Sequence, residues 1–291
     1  MTIATTRLAI VPSGHALGAD VVGVDISQPL APEEVDLIKR AWADHLVLRF
    51  RGSTDLAVES LADFSRNFGT LDKAPVASVE MGQEFSWQHP EITIISNVKV
   101  GGQAIGGLGD GEAVWHSDMT YNDVPPKGSC LYAAELPPVG GNTQFANMYL
   151  AYDTLPEATK RRVEGLKCVH DASRNSAGQL RRGFEDNTDP RKTVGAVHPV
   201  VCTHPVTGKR CLFLGRRRNA YLVGLPVEES EAFLDELWVH ATREEFVWTQ
   251  VWRLGDTIMW DNRCTMHRRD SFDPATRRLL HRTQIAGEAV V

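Results

Sequence analysis

No apolar run in this 291-residue chain approaches the ~18 residues that a membrane-spanning helix needs, so no such span is expected. Cysteine is scarce. The five thiols, at 130, 168, 202, 211 and 264, are odd in number and widely spaced, and no Cys-x-x-Cys occurs. That leaves no basis for a disulfide framework or a zinc ribbon and points to small core thiols in a reducing cytoplasm. Basic charge is not in surplus: 31 Lys and Arg face 37 Asp and Glu, a formal charge of −6. A clustered basic surface for nucleic acid is therefore not expected, nor is a polybasic helix for a membrane surface. The opening "MTIATTRLAIVPSG" lacks the charged start, apolar run and cleavage site of a signal peptide. Internal repeats and low-complexity segments are also missing.

What is present is a globular composition, with 42% hydrophobic and 23% charged residues. It suffices for one large core, and the chain reads as a single domain over 1–291. "APEEVDLIKRAWADH" has Pro32 and two glutamates in its first turn and Val35, Ile38 and Trp42 at helical spacing. "STDLAVESLADFSRNFG" reads as a second helix, capped by Ser53 or Thr54. Two further helices are expected, near Leu150–Leu166 and in "PVEESEAFLDELWVHATR". The rest is mostly short strands: "LVLRF", "EITIISNV", "SCLYAAEL", "NTQFANM", "KCVHDAS", "AVHPVVCTH", "RCLFLG", "FVWTQVWRL", "DTIMWDN" and "LLHRTQIA". This pattern predicts a mainly β fold, a double-sheet jelly roll with flanking helices. Two glycine-rich or polar stretches, near 74–113 and 174–195, read as loops over a site.

The chemistry gathers around "VWHSDMTY". Residues i and i+2 of a strand share a face, so His116 and Asp118 are expected to project together. One His-x-Asp decides little by itself. "GDTIMWDNRCTMHRRD" adds His267, after a strand ending at Trp260–Asp261–Asn262, and Arg278 and Arg282 follow on one face of a further strand. Two histidines and a carboxylate with open positions are the facial triad of non-haem Fe(II) oxygenases, and nearby guanidiniums suit an acidic co-substrate. Trp115 and Trp260 are candidates to wall the site, with plain core packing as the competing reading. The remaining histidines lack a carboxylate at strand spacing and read as structural.

Several ordered blocks then resemble the taurine dioxygenase / 2,4-dichlorophenoxyacetate dioxygenase family of Fe(II)- and 2-oxoglutarate-dependent oxygenases. They are "LADFSRNFGTLD", "WHSDMTYNDVPPKGSCLYAAELPPVGGNTQFANMYLAYDTL", "HPVVCTHPVTGKRCLFLG" and "WDNRCTMH" with "RRLLHRTQIAG". The resemblance implies a distorted double-stranded β-helix and a dioxygenase using Fe(II), 2-oxoglutarate and O2. It makes His116, Asp118 and His267 the iron ligands, and assigns Thr143 and Arg278 to 2-oxoglutarate. Arg282 would hold the acidic group of the prime substrate. The implied reaction is hydroxylation of a small anion: a sulfonate, sulfate ester, aryloxyalkanoate or similar carboxylate. C–X cleavage follows when the hydroxylated carbon bears a heteroatom. Desaturation or epoxidation is the alternative outcome, and Asp118 argues against halogenation. A zinc hydrolase and a non-catalytic binding protein on this scaffold are the rival classes. A homo-oligomer is compatible with the resemblance, although no segment reads as an interface.

The departures concern the substrate. "DKAPVASVEMGQEF" lacks the His/Tyr pair of the taurine enzymes, Glu112 stands where they have asparagine, and "GRRRNAY" replaces an expected aromatic, as does the sequence near Ser176–Ala177. These differences argue against taurine. Glu112 becomes a candidate substrate contact for a cationic group. Arg216–Arg218 are candidates for a second anion, with a solvated turn as the competing reading.

Overall fold

The computed structural model describes residues 8–74, 88–110 and 112–291. Strands of the two main sheets are numbered in chain order: β1 Ala9–Pro12, β2 Ala19–Val22, β3 Val47–Phe50, β4 Thr93–Ser96, β5 Gly107–Leu108, β6 Ala113–His116, β7 Gly128–Glu135, β8 Thr143–Asn147, β9 Val247–Gln250, β10 Thr257–Asp261, β11 Thr265–Arg269 and β12 Leu279–Ile285. Alternation along the central strands sets the layers. On β10, Ile258 and Trp260 join one apolar cluster and Met259 another; on β7, Leu131 and Ala133 part from Cys130 and Tyr132 in the same way. Period two sends neighbours to opposite faces, and both faces are covered, which is why these strands read as nearly continuous apolar runs.

Eight strands form a sheet in the order β1-β2-β3-β10-β7-β12-β4-β5, and four form a second, β9-β8-β11-β6. All pairings are antiparallel except β2 with β3 and β4 with β5. Helices α1 (Pro32–His45) and α2 (Val58–Arg66) cover the outer face of the large sheet through Ile38, Trp42, Leu61 and Phe64. Helices α3 (Met148–Asp153), α4 (Glu157–Val163) and α5 (Val227–Ala241) lie with the smaller sheet; Phe233, Leu234 and Leu237 of α5 share a cluster with Phe145 and Met266. This is the jelly roll with flanking helices that the strand pattern predicts. Among the described residues no helix is long and apolar enough to cross a membrane.

Four local expectations change. Helix α2 begins after Ala57 without a side-chain cap, because the segment containing Thr54 is tied to the sheet instead. Tyr132 Oη donates to Thr54 O at 2.9 Å and accepts from Leu56 N at 3.1 Å. The helix near Leu150–Leu166 is two helices, since Pro156 cannot continue the first and serves as N-cap of the second. Within 74–113, residues 75–87 and 111 lie outside the described residues, and with them most of "DKAPVASVEMGQEF". The stretch from 99 to 108 is not plain loop: Lys99–Val100 pairs with Gln103–Ala104, and β5 adds to β4. Finally, His267, expected only to follow the strand ending at Asn262, sits in the middle of a strand of its own, β11. The 174–195 stretch is loop apart from an isolated bridge between Arg174 and Leu180 and a 3-10 turn at Pro190–Lys192.

Gly128 lets α1 and the large sheet approach closely. A Cβ there would meet the Trp42 ring at 2.4 Å and Trp260 O at 2.6 Å. Gly128→Ala is expected to destabilise the fold by about 2 kcal/mol, read as a lower urea midpoint at unchanged slope.

Candidate metal centre

The centre is built from a strand pairing and a clamped turn. β6 and β11 are antiparallel, with His116 directly opposite His267 and their rings 4.2 Å apart between centroids. Asp118 follows the end of β6, so strand alternation does not place it. Asn262, in the turn between β10 and β11, does. Its Oδ1 accepts from Asp118 N at 2.7 Å, and its Nδ2 donates to Asp118 O and Pro126 O, both at 2.9 Å. Ser117 Oγ adds a bond to Thr265 O at 2.8 Å. The result is three buried side chains whose ligand atoms lie within 4.8 Å of one another. Asp118 Oδ1 is 3.7 Å from His116 Nε2 and 3.9 Å from His267 Nε2.

The protonation states suit a divalent metal. Burial, joined by repulsion from His267 and Arg216, holds the His116 pKa well below its usual value. Burial likewise brings His267 down to about 4, despite the attraction of Asp118. Both rings are therefore neutral at pH 7, each with a lone pair to give. The short contact of His116 Nδ1 to Val114 O, 2.7 Å, assigns the hydrogen to Nδ1 and leaves Nε2 for the metal. Burial alone would raise Asp118, but the Arg282 guanidinium reverses this and keeps it ionised. Arg282 Nη1 bonds both Asp118 oxygens, at 3.1 and 3.0 Å. Two imidazoles and one carboxylate, converging in a buried site with further positions open, fit Fe(II).

Two cavities adjoin the triad. The smaller, about 40 Å³, is lined by His116, His267, Thr143, Trp260, Arg278 and Arg282 among others. Arg278 is 1% exposed and has no carboxylate partner among the described residues. Its Nη2 donates to Gly141 O at 3.1 Å, its Nε is unpartnered, and burial pushes its pKa down to about 9. Thr143 Oγ1 accepts from Trp252 Nε1 at 3.1 Å, which leaves the Thr143 hydroxyl hydrogen free to donate. The larger cavity, about 430 Å³, takes in Asp118, Tyr121, Leu180, Arg181, Phe184 and Arg216. Ile95, Leu108 and Arg282 border both.

Glu112 is not brought to either cavity. It is exposed and ion-paired with Arg268 at 3.1 Å. The reason is a bulge: His116 pairs with His267 and Ala113 with Arg269, so three steps on β6 match two on β11. That extra residue breaks the alternation, and Ala113, not Glu112, turns inward. Trp260 walls the small cavity, its ring 5.0 Å from that of His267. Trp115 faces a different groove, beside Arg268. The "RRR" run divides: Arg216 enters the large cavity, Arg217 pairs with Glu231 and Asp235, and Arg218 is exposed. Tyr121, Arg181 and Leu108 had no sequence signal beyond lying near a long loop or a glycine-rich one.

A second buried cluster, His204, Asp261 and Cys264, also has ligand atoms within 4.8 Å of one another, but its lone pairs are spent. His204 Nδ1 accepts from Val206 N and Thr207 N, so Nε2 carries the hydrogen and donates to Asp261 Oδ2 at 3.0 Å. Arg263 binds both Asp261 oxygens, at 3.0 and 2.7 Å. This network locks the β10–β11 turn that carries Asn262.

Comparisons with known proteins agree with this geometry. Residues 9–284 match the family model described as "Taurine catabolism dioxygenase TauD, TfdA family". The chain is 35% identical to the alpha-ketoglutarate-dependent 2,4-dichlorophenoxyacetate dioxygenase of Cupriavidus pinatubonensis, over 96% of this chain and 98% of that one. It is 32% identical to the pentalenolactone F synthase of Streptomyces avermitilis, over 92% and 90%. Among solved structures, AAD-2 in complex with Mn(II) and N-oxalylglycine superposes with a TM-score of 0.81 at 32% identity, over 98% of this chain and 99% of that one.

The lock at Asp261 gives a pH prediction. Although burial opposes ionisation, His204 and Arg263 depress the Asp261 pKa to about 2 in the folded state. Its stabilisation is thus present above the unfolded carboxylate pKa of about 3.9 and fades as pH falls toward 2. Asp261→Asn should cost about 2 kcal/mol at pH 7, with the difference shrinking between pH 4 and 2 in urea denaturation.

Proposed function

We propose, from the premise that this chain belongs to the TauD/TfdA family of dioxygenases, that it oxidises a small organic anion held in the larger cavity beside iron on His116, Asp118 and His267. The chain is an Fe(II)- and 2-oxoglutarate-dependent dioxygenase, an oxidoreductase with O2 as its second co-substrate. The observation that carries the site reading is the convergence of the three buried ligand atoms at the junction of two cavities bordered by arginine. Bound iron supplies the activation of O2, coupled to conversion of 2-oxoglutarate to succinate and carbon dioxide and to oxidation of a substrate C–H bond.

The chain's own residues bind and orient. Arg278, buried without a counter-charge, takes the distal carboxylate of 2-oxoglutarate, and the Thr143 hydroxyl donates to the same group. Arg282 neutralises Asp118 in the metal-free chain. Once a cation shares the Asp118 charge, the Arg282 guanidinium is released to an anion. Trp260 and Leu131 keep water from the ligand side of the small cavity. The prime substrate belongs to the class of sulfonates, sulfate esters, aryloxyalkanoates and similar carboxylates. Likeness to a 2,4-dichlorophenoxyacetate dioxygenase supports this class, and likeness to pentalenolactone F synthase supports a second outcome, desaturation or epoxidation. A zinc hydrolase leaves the buried, carboxylate-free Arg278 unexplained, and a non-catalytic scaffold leaves the complete triad unexplained. We read 1–291 as a single oxygenase domain, and its five free, buried cysteines suit a cytoplasmic setting.

Under anaerobic conditions, Fe(II) with 2-oxoglutarate should give a weak visible charge-transfer band. Succinate release in air should then identify active members of a panel of sulfonates, sulfate esters, aryloxyalkanoates and phosphonates. Asp118→Ala should lose both signals while keeping the wild-type circular dichroism; turnover with zinc and no O2 would contradict the assignment. Arg282→Ala should reduce kcat/KM for the prime substrate by about 100-fold and weaken saturation by the co-substrate 2-oxoglutarate less. Equal damage to both would refute that division of labour.

A further inference from the structure

We propose that the larger cavity contains a second anion subsite, formed by Arg216, Arg181 and Tyr121, and that the preferred substrate carries two anionic groups separated by an apolar body. This rests on reading that cavity as the prime-substrate site.

Arg216 is fixed beside the metal ligands by the backbone. It bridges His116 across an isolated β-bridge, and Ser117 N donates to Gly215 O at 3.1 Å. Gly215 has a φ of +66° and no room for a side chain, since a Cβ would lie 2.0 Å from His170 Nδ1. The His170 ring thus sets the turn that directs Arg216 into the cavity.

The guanidinium is partly buried, its Nε fully so, and has no counter-ion. Nη1 donates to Arg174 O at 2.6 Å, Nε has no partner, and no carboxylate ion-pairs with Arg216 or Arg181 among the described residues. Burial and then repulsion from Arg181 push the Arg216 pKa down to about 10, more than Tyr121, Asp118 and Asp171 restore. Its neighbour Arg217, nearer solvent, has two carboxylates, at 2.8 and 2.6 Å. Solvation favours the reverse arrangement, because an exposed cation needs a partner least. Arg181 lies 4.0 Å above the Tyr121 ring, and Arg216 lies 5.8 Å from the same ring. Two like charges gathered around one aromatic face are stabilised when an anion joins them.

Charge balance extends the argument from one anion to two. With iron bound, its two positive charges and that of Arg278 offset Asp118 and the two carboxylates of 2-oxoglutarate. Asp118 is the one carboxylate among the described residues lining the larger cavity. Of the four arginines in that lining, Arg182 is exposed to solvent, and Arg282, Arg216 and Arg181 remain, at different parts of the wall. A monoanion on Arg282 leaves the Arg216 pair unmatched, whereas a dianion meets both. Ile95, Leu108, Leu180 and Phe184 supply the apolar wall, and about 430 Å³ is within the usual range for a small-molecule site.

The test compares phenoxyacetate with 4-carboxyphenoxyacetate, which differ by one carboxylate. In calorimetry with Mn(II) and 2-oxoglutarate, where Asp118 is engaged by the metal and Arg282 is free, the dianion should bind about 10-fold tighter or more. Arg216→Gln should erase that preference, and Arg216→Lys should restore part of it; retained Mn(II) binding by both variants shows that they fold. With Fe(II) and 2-oxoglutarate, the dianion should also have the higher kcat/KM for succinate release. Equal binding of the two probes, or a preference that survives in Arg216→Gln, overturns the subsite. Turnover of the monoanion with rejection of the dianion also overturns it, yet leaves the oxygenase reading intact.

Discussion

The pairing of His116 with His267 across β6 and β11 is the constraint from which the rest of the site follows. Directly opposed residues of an antiparallel pair are brought within side-chain reach without help from a loop. The position of Asp118 depends on this pairing indirectly. The β10–β11 turn that starts the His267 strand also carries Asn262, which grips the backbone on either side of Asp118. One turn therefore sets both the histidine register and the carboxylate position. His204, Asp261 and Arg263 brace the turn from behind, which is why a cluster that resembles a metal site is committed to structure instead.

Around this frame the protein buries more guanidinium than its own carboxylates neutralise. Among the described residues, Arg278, fully buried, and Arg216, partly buried, are the clearest cases, one in each cavity. Arg282 is paired, but with the carboxylate that a metal would claim. Burying a charge alone is costly, so the arrangement is stable in company with bound anions. On the proposed reading, the same physics that makes these lone guanidiniums costly would select an acidic co-substrate and substrate.

Much of this was legible in the sequence, for identifiable reasons. The helices showed their 3.6-residue period, and most strands were short apolar runs bounded by glycine or proline. The three candidate ligands and Arg278 stood in blocks whose order and spacing carry meaning. The β11 strand was not legible, because "TMHRR" is polar and its burial comes from neighbours on both sides. Glu112 was misdirected by a single extra residue in β6, a feature defined only by the partner strand. The arginines of "GRRRNAY" were adjacent in sequence, but their three environments depend on a glycine pressed against His170 and on carboxylates from α5. Local pattern identified the chemistry; the direction in which each charge points required the fold.

The central claim is that one of the two buried clusters, and not the other, holds the metal. Anomalous diffraction at the manganese edge, from crystals grown with Mn(II), tests it most directly. A single strong peak is expected, bounded by His116 Nε2, His267 Nε2 and an Asp118 oxygen, with nothing at His204, Asp261 and Cys264. A peak at the latter cluster, or none at the former, would contradict it.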